Sequence, residues 1–256
     1  MTIALGFFFF LTAALYAAVG FGGGSTYNAL LVLHGTDYRI LPAIALVCNI
    51  LVVAGGVVRF HLAGQLAFRR LVPFLVTSIP AAWLGGRLPV SETLFVNLLG
   101  AALLISGLYL AFERPQEALP ETSAPRSAGL TPFMVGGGIG LLSGLVGVGG
   151  GIFLAPVLYF MKWGTPQQIA AASSLFILVN SVSGLTGQMM KLQDTDILHL
   201  AAPYWILFPL VIAGGQIGSW MASRKLQPQI VKRLTAILLL YVAARLLYDG
   251  LSRLLT

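Results

Sequence analysis

Gly20-Phe21-Gly22-Gly23-Gly24-Ser25-Thr26-Tyr27-Asn28 and Gly147-Val148-Gly149-Gly150-Gly151-Ile152-Phe153-Leu154-Ala155 repeat one pattern, G-x-G-G-G, each inside a long apolar run without a charged residue. In hydrocarbon an unpaired backbone amide costs several kcal/mol, so a spanning segment should stay helical. Four glycines in five residues instead favour an unwound or left-handed backbone. Such a break at membrane depth is tolerated only where protein or water satisfies the freed groups. Glycine-interrupted segments at matching places in two halves point to the binding site of a transporter.

The composition agrees with a membrane setting. Of 256 residues, 57% are hydrophobic and only 9% charged, against about 25% charged in soluble domains. Apolar blocks fall at about 2–33, 40–60, 71–88, 93–112, 129–161, 167–190, 197–222 and 234–248, several long enough to cross a bilayer. The net charge of +7 is spread between these blocks rather than in one basic tract. It reads as an orientation signal, with no nucleic acid as partner. The lone Cys48 excludes an internal disulfide and a paired-cysteine metal site. No Lys or Arg precedes Arg39, so the first block lacks the basic start of a signal peptide and is expected to belong to the mature fold.

Residues 113–128 carry Pro115, Pro120 and Pro125 among Glu113, Glu117 and Glu121. Prolines at that spacing defeat a helix, and the acids resist burial. The expected organisation is a first membrane repeat at 1–112, a polar Pro-rich linker at 113–128 and a second repeat at 129–256. Further matches support duplication. Pro80-x4-Gly85-Gly86 answers Pro209-x4-Gly214-Gly215, and Asn49 answers Asn180.

The first and fifth blocks exceed 30 residues, or about 48 Å as helix. That is too long for one perpendicular crossing and too short for two. The sequence leaves open whether they cross or re-enter, and charge favours re-entry. With re-entrant hairpins the 15 basic residues divide ten to five between the two faces, and with eight plain crossings they divide eight to seven. Equivalent loops also exchange their charge bias, as inverted repeats should. The expected fold is an all-α integral membrane protein of two homologous, inverted halves. Each half has a Gly-broken first segment followed by three transmembrane helices.

No enzyme constellation is present. His34, His61 and His199 lie far apart near block ends, without metal-ligand spacing. Neither G-x-G-G-G lies in a βαβ unit or carries a Walker lysine. Neither a cofactor nor a metal is expected. Block centres also lack Asp and Glu, so any proton coupling must use the anion's own protonation, a polar network or an edge residue.

The remaining chemistry is polar and uncharged. A half-helix starting at each break offers free N–H groups and a positive dipole end, a host for a small anionic substrate. The candidate binding residues are Gly22, Gly23, Gly24, Ser25, Thr26, Asn28 and Asn49 in the first half. In the second they are Gly149, Gly150, Gly151, Ser173, Ser174, Asn180 and Ser181. The competing reading makes the small residues helix-packing contacts and the Ser and Asn residues interhelical glue. Asn49 and Asn180 stand out, because amides in oil are expensive.

With Gly147-Val148-Gly149-Gly150-Gly151-Ile152-Phe153-Leu154-Ala155-Pro156-Val157-Leu158, the first glycine cluster, Ala171-Ala172-Ser173-Ser174-Leu175 and the two P-x4-GG segments, the sequence resembles the sulfite exporter TauE/SafE family, also called the toluene-sulfonate uptake permease family. The resemblance spans nearly the whole chain. The first half departs from it with Asn28-Ala29 where the second has Ala155-Pro156. It implies a multi-pass transporter of the bacterial-type cytoplasmic (inner) membrane, carrying sulfite, sulfoacetate or other organosulfonates. A passive anion channel is the alternative. Direction, coupling ion and a homodimer stay open.

The charge split generates a topology test. Both termini should face away from the cytoplasm, with the linker, 61–70 and 222–233 facing it. Single cysteines at Gln65, Glu117 and Gln227 in a Cys48→Ser background should all resist an impermeant thiol reagent in intact cells. Labelling at Gln227 but not at Gln65 would instead support eight plain crossings.

Overall fold

The computed structural model describes residues 3–112, 129–191, 200–221 and 228–255. The expected linker at 113–128 and His199 therefore lie outside the described residues. In chain order the helices are α1 (Ile3–Val19), α2 (Gly24–Leu33), α3 (Leu41–Leu62), α4 (Phe68–Arg87), α5 (Glu92–Phe112), α6 (Thr131–Val146), α7 (Gly151–Phe160), α8 (Pro166–Lys191), α9 (Leu207–Met221) and α10 (Pro228–Leu255). A 3-10 turn at Ala202–Tyr204 precedes α9. There is no strand among the described residues.

Helix is the solution that the apolar composition demands, because it pairs backbone groups within one segment. Leu41–Leu62, Glu92–Phe112 and Pro166–Lys191 are long and apolar enough to cross a membrane, with mean hydropathies of 2.4, 2.1 and 1.6. Large apolar side chains also point outward: Met134 and Phe160 are 75% and 90% exposed. A soluble monomer rarely shows such a surface, whereas acyl chains solvate it. The chain breaks where the glycine clusters predict, between α1 and α2 and between α6 and α7. Gly23 (φ 83°) and Gly150 (φ 79°) cap α2 and α7 in the left-handed conformation, which costs an L side chain about 1–2 kcal/mol.

The two halves are interleaved rather than set side by side. Gly136, Gly140 and Gly144 of α6 meet Phe74, Ser78 and Ala82 of α4 in that order, so the two helices run in the same direction. Gly214 and Gly218 of α9 meet Phe10 and Ala14 of α1, again in the same direction. Thus the third long helix of each half docks on the broken helix of the other. The P-x4-GG segments explain how. Gly85 and Gly86 bring α4 against the α6 and α8 backbones, at Leu141 and Gly184 respectively. Gly214 and Gly215 bring α9 against Phe10 of α1 and Val52 of α3. The last helices, α5 and α10, pair in opposite directions, Gly100 against Leu247 and Gly107 against Leu240.

The core follows this exchange. One cluster joins Phe9, Tyr27, Ile44 and Leu103 of the first half to Val146, Val211 and Leu239 of the second. The other joins Leu71 and Phe74 to Leu154, Trp163 and Phe176. Neither half buries its apolar residues alone. Cys48 is buried and free, as its apolar setting implied.

Backbone-to-backbone contact makes a sharp prediction. A Cβ on Gly86 would overlap the Gly184 carbonyl, whereas one on Gly56 meets nothing within 4 Å. Gly86→Ala should cost about 1–3 kcal/mol through overpacking. Gly56→Ala should be neutral or gain up to about 1 kcal/mol from helix propensity. Thermal unfolding of the detergent-solubilised protein should separate the two variants.

Candidate functional site

The site grows from the two left-handed caps. The backbone bonds that open α2 and α7 run from Tyr27 N–H to the Gly23 carbonyl (3.0 Å) and from the N–H groups of Phe153 and Leu154 to the Gly150 carbonyl (3.1 and 3.0 Å). The N–H groups of Gly24 and Ser25, and of Gly151 and Ile152, stand before these bonds at the positive ends of their helices. No side chain caps either end. Two such ends present about half a positive charge each. The helices that carry and flank them, α1, α2, α6 and α7, hold no Lys, Arg, His, Asp or Glu.

Asn49 of α3 lies between the breaks. A Cβ on Gly22 would sit 2.5 Å from its Oδ1, and one on Gly149 2.7 Å from its Nδ2. One on Gly24 would overlap the same amide. Only glycine leaves room for the carboxamide there. Asn49 is 0% exposed, and neither amide atom has a hydrogen-bond partner. Leaving such an amide unpaired in a buried setting costs about 1–3 kcal/mol per group. Ser181 of α8 joins it: its hydroxyl, also buried and unpartnered, would lie 3.2 Å from a Cβ on Gly149. Ile177, one turn before Ser181 on the same face of α8, also closes on the breaks: its Cγ2 comes within 3.2 Å of that position on Gly22 and 3.0 Å on Gly149. The centre therefore mixes polar and apolar side chains.

Several other sequence candidates brace this centre. Thr26 Oγ1 bonds Tyr16 Oη at 2.8 Å, tying α2 to α1. Asn28 Nδ2 donates to the Val146 carbonyl at 2.9 Å, fastening α2 to the end of α6 across 118 residues. Ser174 donates to the Gly20 carbonyl and so holds the end of α1. Asn180, the counterpart of Asn49, donates to Phe176 of its own helix at 2.8 Å, leaving only Oδ1 unpaired. Ser25 is buried. Ser173 is buried with an unpartnered hydroxyl, and its carbonyl is 3.2 Å from a Cβ on Gly151. The structure thus gathers Gly22, Gly24, Asn49, Gly149 and Ser181 at one point and sets the rest around it.

Sequence reasoning passed over Tyr16, Ser143 and Ile177. Tyr16 packs on Gly23 and Ser143 on Gly150, each seven residues before its cap, with Thr12 and Ile139 four residues earlier again. That spacing was a legible signal. Gln188 adds a second fastening, donating to the Gly144 carbonyl at 2.9 Å.

The charged groups lie elsewhere. A cavity of about 720 Å³ between the ends of α2, α5 and α10 is lined by Thr36, Asp37, Arg39, Glu92 and Phe95, and by no break residue. There the Arg39 guanidinium, 2.6 Å from Asp37, holds that carboxyl below the usual carboxylate range. Among the described residues no cluster of His, Cys, Asp or Glu is able to hold a metal.

Comparison of the sequence with known proteins gives the family. The profile of the sulfite exporter TauE/SafE family matches residues 5–246. A probable membrane transporter protein, y4hK, of Sinorhizobium fredii is 34% identical over 96% of this chain and 98% of its own length. A probable membrane transporter protein of Haemophilus influenzae is 27% identical over 42% of each chain. The probable membrane transporter protein MamO of Paramagnetospirillum magneticum is 26% identical over 49% of this chain and 21% of its own length. No solved structure gives a significant match. With its glycine-broken helices, its outward apolar surface and a family match across nearly its full length, the chain belongs to the TauE/SafE family of membrane transporters.

Proposed function

We propose that this transporter moves small sulfur-containing anions, sulfite or organosulfonates, across a bacterial cytoplasmic membrane, binding them between the two glycine breaks. The observation that carries the reading is the Asn49 amide, buried and unpaired where both breaks meet. Fixed N–H groups and dipole ends stabilise an anion without a buried lysine or arginine.

Helix directions support inverted repeats. Ile79 and Trp83 of α4 meet Ser183 and Gly187 of α8 in that order, so α4 and α8 run together. The short connection at 63–67 reverses α4 relative to α3. The equivalent helices α3 and α8 therefore oppose each other, as a two-fold axis in the membrane plane requires. Inverted halves that share one central site fit alternating access. An open channel fits less well, because a continuous pore would wet Asn49 and the amide is sealed from solvent.

Asn49→Leu is nearly isosteric and removes an unpaired buried amide. It should hold or raise Tm while reducing counterflow exchange of labelled sulfite in proteoliposomes at least tenfold. A lower Tm with unchanged exchange would make Asn49 a packing residue. Gly23→Val and Gly150→Val, checked for normal insertion, should each abolish exchange. Transport at the wild-type rate by both would move the binding site elsewhere. Asn28→Ala leaves the Val146 carbonyl unpaired and should lower stability by about 1–3 kcal/mol, read as a Tm shift.

A further inference from the structure

The chemistry of the centre specifies more than an anion. Two helix N-termini supply about one positive charge together, and the side chains against the breaks, Thr12, Tyr16, Asn49, Ser143, Ile177 and Ser181, are all uncharged. That balances a single negative charge. A dianion would keep an uncompensated charge in a buried, low-dielectric setting, where it is strongly disfavoured.

Asn49 adds a second requirement. Its amide places an acceptor and a donor side by side between the breaks, neither with a partner. Turning the amide over exchanges the two atoms and leaves the same pair. A fully deprotonated oxyanion has only acceptors, so it satisfies Nδ2 and sets its oxygen against Oδ1. An oxyanion that retains one hydroxyl satisfies both, donating to Oδ1 and accepting from Nδ2, the Ser181 hydroxyl and the helix N–H groups.

We infer that the space between the breaks selects a singly charged oxyanion still carrying one proton, hydrogen sulfite rather than sulfite dianion or an alkyl sulfonate, and that this proton crosses with the anion. The inference rests on the proposed transport of sulfur anions through this site. It also supplies proton coupling without a titratable protein group. The titratable groups on the packed elements are Tyr16 on α1, Tyr27 on α2 and Cys48 on α3. Arg59, His61, Tyr159 and Lys191 lie at the ends of α3, α7 and α8. Tyrosine and cysteine ordinarily ionise above about pH 8, but histidine near about pH 6.5. The profile between pH 6.5 and 8 is therefore repeated in a His34→Gln, His61→Gln double variant, which removes the histidines at the ends of α2 and α3. A fall with pH that persists there reports the anion.

The test uses the full chain in proteoliposomes, with protein-free vesicles subtracted. Initial uptake of labelled sulfite at fixed total concentration is measured across that range, with an entrapped pH dye and with methanesulfonate as competitor. Uptake should fall with pH, approaching about tenfold per unit above the anion's own pKa, and the lumen should acidify as sulfite enters. Methanesulfonate, singly charged but without a proton to donate, should compete at least about tenfold more weakly than sulfite does at pH 6.5. Uptake that is flat or rises with pH, or equal competition by methanesulfonate, overturns the inference and leaves the transport reading intact. Absence of saturable flux for every sulfur anion tried overturns both.

Discussion

A backbone amide inside a bilayer has no water to bond with, and everything else in this structure follows from where that rule is broken. The long helices obey it by pairing their own groups. The two G-x-G-G-G clusters break it, and the freed groups are then met by specific partners. Ser174 takes the Gly20 carbonyl, Asn28 the Val146 carbonyl and Gln188 the Gly144 carbonyl. These donors come from distant segments, so each break is stable only when the two halves are assembled. What stays unpaired between the starts of α2 and α7 is the Asn49 amide, with the Ser181 hydroxyl beside it.

The exchange of third helices gives this arrangement its rigidity. Gly85 and Gly86 fasten α4 to α6 and α8, and Gly214 and Gly218 fasten α9 to α1. Without a hydrophobic driving force between helices in lipid, close backbone approach through small residues is what holds such pairs. Each fastened group carries one of the broken helices. The Asn49 centre therefore lies where these two fastened groups meet.

The two breaks are not lined alike. Asn49 faces both breaks, while Asn180 turns to Phe176 of its own helix and Ile177 packs against Gly22 and Gly149. Tyr16 and Ser143 hold equivalent positions against Gly23 and Gly150 with different chemistry.

Hydropathy and glycine clustering were enough to read an all-helical membrane protein and to locate both helix breaks. These features are local: an apolar run must be helical in lipid, and glycine clusters break helices wherever they fall. Tertiary structure alone decided which candidates converge. Asn49 and Asn180 are alike in sequence, yet one is unpaired between the breaks and the other is bonded to its own helix. Thr26, Asn28 and Ser174 bond to other segments, and Ile177 packs against Gly22 and Gly149 as an ordinary apolar residue with no signal of its own. Pairing of side chains across more than a hundred residues depends on how helices dock, and docking is set by backbone approach between halves, a quantity no stretch of sequence carries by itself.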